Sequence, residues 1–261
     1  MSSSGPNGRA FPVDRGYVEV SGPGAEDFLE RMLSNEVATL SEGETRRALL
    51  LTPKGRIIAS LRVVRTGSES FLLVTDVSEL AEPTASSLRA ARFASRCEIE
   101  VRPLEGLVVL GSEPDLPGFR TSDFGVEAFE TWGEAGGGSG AAEPGTLEEL
   151  RIQAGTPAWG KEIDESILPA EAGLDETHIS FSKGCFPGQE PIARLHYRGH
   201  ANRRLRRLEV GNAMPGDEIV WKDKVVGRVT SAVPGRALGY VRSEVPEGGV
   251  VLIGGSEARL H

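Results

Sequence analysis

The chain has 261 residues, 39% of them hydrophobic and 26% charged, which is ordinary for a globular protein and enough to bury a core. Its net charge of -9 excludes a general attraction to nucleic acid or anionic membrane, and no stretch approaches the roughly 20 apolar residues of a membrane span. Two cysteines do not make a disulfide framework, and MSSSGPNGRAFPVD has no apolar core of signal-peptide length, so the expectation is a soluble cytoplasmic protein with reduced thiols.

The 33 glycines and 16 prolines predict many turns and short strands. Residues 16–20, GYVEV, alternate and read as a strand. SGPGAEDFLERMLSNEV predicts a turn into a helix, with Phe28, Leu29, Met32 and Leu33 as its apolar stripe and Glu26 and Asp27 suiting the dipole at its start. RRALLLTPKGRIIASLRVVRTGSESFLLVTD predicts three strands, turned at TPKG and TGSES. A helix over 78–93 is expected to be interrupted at Pro83, and CEIEV and LVVLG read as two further strands. Together these predict an antiparallel sheet with helices on one face, an α+β arrangement.

GEAGGGSGAAEPG (133–145) reads as a flexible loop. In TLEELRIQAG, Thr146 and Glu149 have the spacing of a capping box and Gly155 is the stop. Residues 156–200, with many prolines and glycines, predict packed functional loops. From about 203 the short apolar runs LRRLEV, DEIVW, KVVGRVTSA, RALGYVR and GVVLIG fit a small β-barrel.

Four features bear on chemistry. KGCFPGQE (183–190) sets Cys185 between glycines with Lys183 close by. Nearby cations favour a thiolate, and glycines let backbone approach a ligand. A free cysteine ordinarily fills core space, which is the reading for Cys97; the glycine bracket assigns Cys185 to function. No zinc site is expected, because His178, His196 and His200 form no ligand pattern with it. RLHYRGHANRRLRR (194–207) holds six arginines, two histidines and no acid. Its plain reading is a solvated strand edge and turn; its sharper one is an anion site, with Tyr197 available to stack. LTPKGRIIASLRVV (51–64) reads as a structural hairpin. Trp159, Glu162, Asp164, Glu165 and Glu171, within 151–171, read as a solvated loop in which no catalytic pair is named.

Taken together, K-G-C-F-P-G-Q-E followed by P-I-A-R-x-x-x-R-G resembles the signature of the YgfZ-type proteins. These are the folate-binding, iron–sulfur-cluster-assembly branch of the aminomethyltransferase (glycine cleavage T-protein) superfamily. SNEV (34–37), KGRIIASL (54–61), RIQAGTPAWGKEIDESILPAE (151–171) and VGRVTSAVPGRALGYV (226–241) resemble further superfamily segments, so the likeness spans nearly the whole chain. It implies a ring of three subdomains: two interleaved ferredoxin-like α+β subdomains, 1–45 with 146–200 and 46–145, and a C-terminal β-barrel, 201–261. It implies tetrahydrofolate or a derivative as the ligand, pterin inward and glutamate tail toward basic residues. Besides the Cys185 thiol, the implied contacts are Lys183, Gly184, Gly188, Gln189 and Glu190 in the octapeptide, Arg194, Tyr197 and Arg198 after it, and Asn35. The implied role is support of assembly or repair of iron–sulfur enzymes, with iron–sulfur client or assembly proteins as partners, no metal held, and no membrane or nucleic acid bound.

Two other readings stay open. A folate-dependent aminomethyltransferase resembles the chain in the same segments, but carries an aspartate pair where this chain has Ala59 and Ser60. A nucleic-acid-binding or tRNA-modification protein would use the 194–207 arginines and show a steep salt dependence, against the net charge of -9.

Overall fold

A computed structural model of the chain describes residues 9–134 and 145–261. The glycine-rich segment 133–145 lies, but for its ends, outside the described residues. The elements begin with β1 (Arg9–Val13), β2 (Gly16–Ser21), α1 (Ala25–Met32), β3 (Thr45–Leu51), β4 (Ile57–Gly67) and β5 (Ser70–Thr75). There follow α2 (Ala81–Ala91), β6 (Glu98–Val101), β7 (Leu104–Leu110), β8 (Gly118–Thr121), β9 (Ala128–Glu134), α3 (Thr146–Ala154) and α4 (Gln189–Arg198). The last six are β10 (Arg203–Glu209), β11 (Glu218–Trp221), β12 (Lys224–Val233), β13 (Arg236–Arg242), β14 (Val250–Ile253) and β15 (Ser256–Leu260).

Two compact units result: Met1–Thr121 with Glu127–Ala142 and Glu176–Ala193, and Ser122–Val126 with Glu143–Asp175 and Arg194–His261. The first holds two antiparallel sheets, ordered β3-β4-β5-β2-β6 and β1-β7-β9-β8. Tyr17, Val64, Leu72 and Val74 of the five-stranded sheet pack with Leu104, Phe119 and Trp132 of the four-stranded one. Strand alternation turns Val18, Val20, Val63 and Leu73 to the opposite face, where α1 and α2 pack. This two-sided burial explains why β4 and β5 read as near-continuous apolar runs. The second unit is a closed six-stranded barrel, ordered β10-β13-β12-β11-β14-β15, with Leu208, Ile219, Val229, Val251 and Leu260 in its core and α3 packed on β12 and β13.

The α+β class and the C-terminal barrel follow the sequence reading; several local expectations do not. The division runs differently from 1–45 against 46–145, because β2 pairs with β5 from Gly16↔Thr75 to Ser21↔Ser70, one sheet across that boundary. Helix α2 continues through Pro83, which lies in the first turn where its missing N–H is not needed. The Thr146–Glu149 capping box does not form: Gly145 is the N-cap, without a side-chain bond, and Glu149 instead accepts from Gln153 Nε2 at 3.1 Å. The stop at Gly155 does form, with φ of 81° and its N–H bonded into the last turn. Within 156–200 a whole helix, α4, replaces loop, again with its proline, Pro191, in the first turn. No helix among the described residues is long and apolar enough to cross a membrane.

Candidate functional site

The cysteine-bearing segment is held in the first unit by two attachments. At its start, residues 178–182 run beside the α1–β3 connection. Buried Ser34 donates through Oγ to the His178 carbonyl (2.7 Å) and accepts from Leu49 N (2.8 Å), while Ser180 N donates to the Ser34 carbonyl (3.0 Å). Ser180 and Ser182, two apart in non-helical chain, both donate to Glu36 Oε1, at 3.0 and 3.4 Å. Arg46 stands 3.8 Å from the other oxygen of that half-buried carboxylate. At the far end, Gly188 (φ 81°) lies so close to the TPKG turn that a Cβ there would be 2.5 Å from the Thr52 carbonyl oxygen. Gly55 of that turn (φ 73°) leaves only 3.1 Å to Pro191 in return. The hairpin read as purely structural is thus the seat of the cysteine loop.

Between the attachments Gly184 and Cys185 are exposed, and nothing lies within 4 Å of a Cβ built on Gly184. Phe186 is buried, anchoring the loop one residue beyond the thiol. Cys97 is buried, and burial pushes its thiol above the ordinary range, which suits a structural role.

Two residues expected at the ligand do different work. The Lys183 side chain is 1% exposed, and its ammonium donates to the carbonyls of Glu30 (2.7 Å), Leu33 (2.9 Å) and Asn35 (2.7 Å). Three protons for three carbonyls, two at the end of α1 and one just beyond it, make it a C-terminal cap supplied from a distant segment. It also pairs with Glu30 Oε1 at 3.1 Å. Burial lowers the Lys183 ammonium from its ordinary range while the Glu30 pair opposes that; four acceptors around it hold the charge in place. Burial likewise works to raise the Glu30 carboxyl, but the Val37 and Ala38 amides and Lys183 outweigh it and hold it low. Lys183 is therefore a strap, and not the cation beside the thiol that the sequence suggested. Asn35 is spent similarly: Nδ2 donates to the Arg47 carbonyl (2.9 Å), and Oδ1 accepts from Glu36 N (2.9 Å). Its task is to aim the neighbouring Glu36.

The other expected contacts lie on α4. Gln189 and Glu190 open it, Gln189 N donating to the Phe186 carbonyl at 3.2 Å. Arg194 and Arg198 are exposed and one turn apart, so they share a helix face. Tyr197 is 68% exposed, with the His196 ring edge-on to it at 4.9 Å. Two of the six arginines of the run are thus helical, and the other four lie in β10.

In the second unit Glu162, Asp164 and Glu171, three of the four carboxylates of 151–171, are partnered within the protein. Buried Glu162 accepts from Arg151 (2.9 Å), Ser231 Oγ (2.6 Å) and Ala158 N (3.0 Å), and Tyr240 OH donates to its carbonyl at 2.7 Å. Arg151 grips Glu148 with two more bonds, at 2.7 and 3.0 Å, and that bond first of all draws the Glu148 carboxyl down to about 2. Glu171 accepts from Arg203 at 2.9 Å, and Asp164 from the Ser166 hydroxyl at 2.6 Å. Among the described residues no group of three or more His, Cys, Asp or Glu is placed to hold a metal. What the sequence reading missed is the Ser180–Ser182–Glu36 contact; the i, i+2 serines in ISFS, which share one side of extended chain, are its only local signal.

Residues 14–102 match the family model described as GCVT N-terminal domain. An uncharacterized protein of Haemophilus influenzae is 29% identical over 234 residues, covering 83% of this chain and 81% of its own length. An aminomethyltransferase of Halothermothrix orenii is 26% identical over 278 residues, covering 87% of this chain and 78% of its own. The crystal structure of glycine cleavage system aminomethyltransferase T from Bartonella henselae superposes with a TM-score of 0.82 over 97% of this chain and 85% of that one, at 22% identity. The chain has the fold of that aminomethyltransferase, and these similarities support its place in the GcvT-like superfamily.

Proposed function

We propose that the protein is a cytoplasmic tetrahydrofolate-binding member of the YgfZ-type branch, supporting assembly or repair of iron–sulfur enzymes through Cys185, and that it does not transfer aminomethyl groups. The observation that carries this is an exposed thiol, on a loop pinned at both ends, in a fold shared with an aminomethyltransferase. In the transferase signature an aspartate pair occupies the positions of Ala59 and Ser60, and both are buried in β4 here, opposite Leu50 and Leu49. Neither can stabilise the positive charge that develops at the reacting nitrogen.

The residues present suit a reduced folate. The space beside Gly184 is open; the half-buried Glu36 carboxylate, aimed by Asn35, is an acceptor for amino and ring N–H groups of a pterin; exposed Tyr197 offers an aromatic face. Arg194 and Arg198, on one face of α4, suit the carboxylates of the glutamate tail. Lys183 and Asn35 serve by holding the loop, and Gly188 by seating it. Bound tetrahydrofolate supplies a carrier for one-carbon units; the chain's own residues bind it beside the Cys185 thiol.

Titration calorimetry with tetrahydrofolate at low salt tests the ligand. Binding is expected for the wild type, with Arg194→Ala or Arg198→Ala each weakening it by about 1–3 kcal/mol. No heat and no thermal stabilisation at millimolar folate would remove the ligand from the account. Complementation of a strain lacking its own family member tests the role: the wild type is expected to restore iron–sulfur enzyme activity and Cys185→Ser to fail. Full restoration by Cys185→Ser would end the thiol's part in the proposal.

A further inference from the structure

A cavity lies wholly within the barrel-containing unit. It has a volume of about 600 Å³ and is bounded by the Ser122–Val126 turn, by Leu150, Ile152 and Ala154 of α3, and by Arg207, Arg236, Ala237 and His261. None of these residues takes part in the site described above.

Its walls and rim differ in character. Phe124, Ile152 and Ala237 are buried and give apolar wall. The rim is cationic. Among the described residues no carboxylate stands within ion-pair distance of Arg207, whose guanidinium reaches only the Gln153 carbonyl, at 3.5 Å. Arg236, exposed on β13, stands 3.9 Å from Glu209 Oε2, and the same oxygen is 3.4 Å from His261 Nε2. Arg236 thus has a carboxylate beside it, while Arg207 has none within ion-pair distance.

Arg207 is also positioned. Its methylene stem rests on Gly155, where a Cβ would lie 2.8 Å from Arg207 Cδ and 3.0 Å from Cγ. The glycine that stops α3 therefore also makes room for the side chain at the cavity edge. A guanidinium is weakly hydrated and meets carboxylate or phosphate with two parallel bonds. Set at the rim of an apolar hollow, it selects ligands having both an anionic end and an apolar body, and the volume is within the range of small-ligand sites.

We propose that this cavity is a binding site for a small amphiphilic anion, an apolar ring or chain bearing one carboxylate or phosphate, held by Arg207 and Arg236 at the charged end and by the Phe124–Ile152–Ala237 wall at the other. Association is non-covalent. It is independent of the folate proposal, with which it shares no residue.

The test uses the full chain and four probes followed by calorimetry at low salt: 1-naphthyl phosphate, 1-naphthoate, neutral 1-naphthol and inorganic phosphate. At least one naphthyl anion is expected to bind with a sub-millimolar Kd, at least about tenfold more tightly than 1-naphthol or inorganic phosphate. The tighter of the two anions assigns the head group. Arg207→Gln and Arg236→Gln are each expected to weaken that binding about tenfold or more without moving the melting temperature, since both side chains are exposed, while Arg204→Gln leaves it unchanged. Absence of binding by both naphthyl anions, equal affinity for 1-naphthol, equal affinity for inorganic phosphate, or binding that survives both arginine variants overturns the proposal.

Discussion

Gly184 and Gly188 stand four residues apart in one octapeptide, yet their environments predict opposite responses to an added methyl group. At Gly188, φ is 81° and a Cβ would come 2.5 Å from the Thr52 carbonyl oxygen and 3.0 Å from Gly55 Cα. Holding an L-residue in that left-handed conformation costs about 1–2 kcal/mol. The contact is nearly an ångström too short, and the crowding atoms are backbone on a tight turn, so relief requires the loop to lift from its seat, another ~1–3 kcal/mol. Gly188→Ala is therefore expected to destabilise by about 2–5 kcal/mol, seen as a melting-point drop of about 4–20 °C. At Gly184 nothing lies within 4 Å and φ is outside the left-handed region, so Gly184→Ala is expected to change stability by less than about 0.5 kcal/mol. Urea unfolding of the two variants measures the difference directly. A Gly188→Ala protein as stable as the wild type, or a Gly184→Ala protein equally damaged, would refute the reasoning that the loop is seated by Gly188 on the hairpin turn.

Glu162→Gln leaves the 7%-exposed Arg151 with a weakened counter-charge and is expected to destabilise by about 3 kcal/mol in chemical unfolding, whereas the double change Arg151→Met, Glu162→Leu recovers most of that loss. The Glu148 carboxyl is drawn from 4.5 to about 2 in the folded state, so its contribution is fully present above pH 4.5 and lost as pH falls toward 2. Because that side chain is 34% exposed, screening reduces the contribution to about 1 kcal/mol, and Glu148→Gln is expected to lose that much at neutral pH and nothing near pH 2, read from urea melts across the range. With the other glycine-cleavage components supplied, methylenetetrahydrofolate formation is expected to fall about 10²–10³-fold or more below that of an authentic T-protein, because Ala59 and Ser60 carry no charge; comparable turnover would restore the transferase reading.

The parts of the fold legible in the sequence are those whose pattern is local. Strands β2 to β5, helix α1 and five of the six barrel strands announce themselves by alternation or by apolar runs between turn residues. Strand β15 does not, because SEARL is short and mostly polar and becomes a strand by pairing with β14 and closing the barrel on β10 through Leu208↔Leu260. Helix α4 was hidden by Pro191 and by an arginine run that suggests a solvated edge. The site divides in the same way. The octapeptide stood out by composition, and its exposed thiol was expected; the partners of Lys183 were not, because they lie about 150 residues away and are backbone carbonyls, which no residue type signals. Nor does spacing alone reveal that the TPKG turn and Gly188 meet.

The most direct test of the central claim is the alkylation rate of the two thiols in the folded protein, with and without saturating tetrahydrofolate, read by peptide mass spectrometry. Cys185 is exposed and Cys97 buried, so without folate Cys185 is expected to react much the faster. Folate is expected to slow Cys185 about tenfold or more while leaving Cys97 unchanged, the outcome for a ligand seated against the thiol. Equal labelling of the two cysteines, or a Cys185 rate that saturating folate leaves unaltered, would contradict the account.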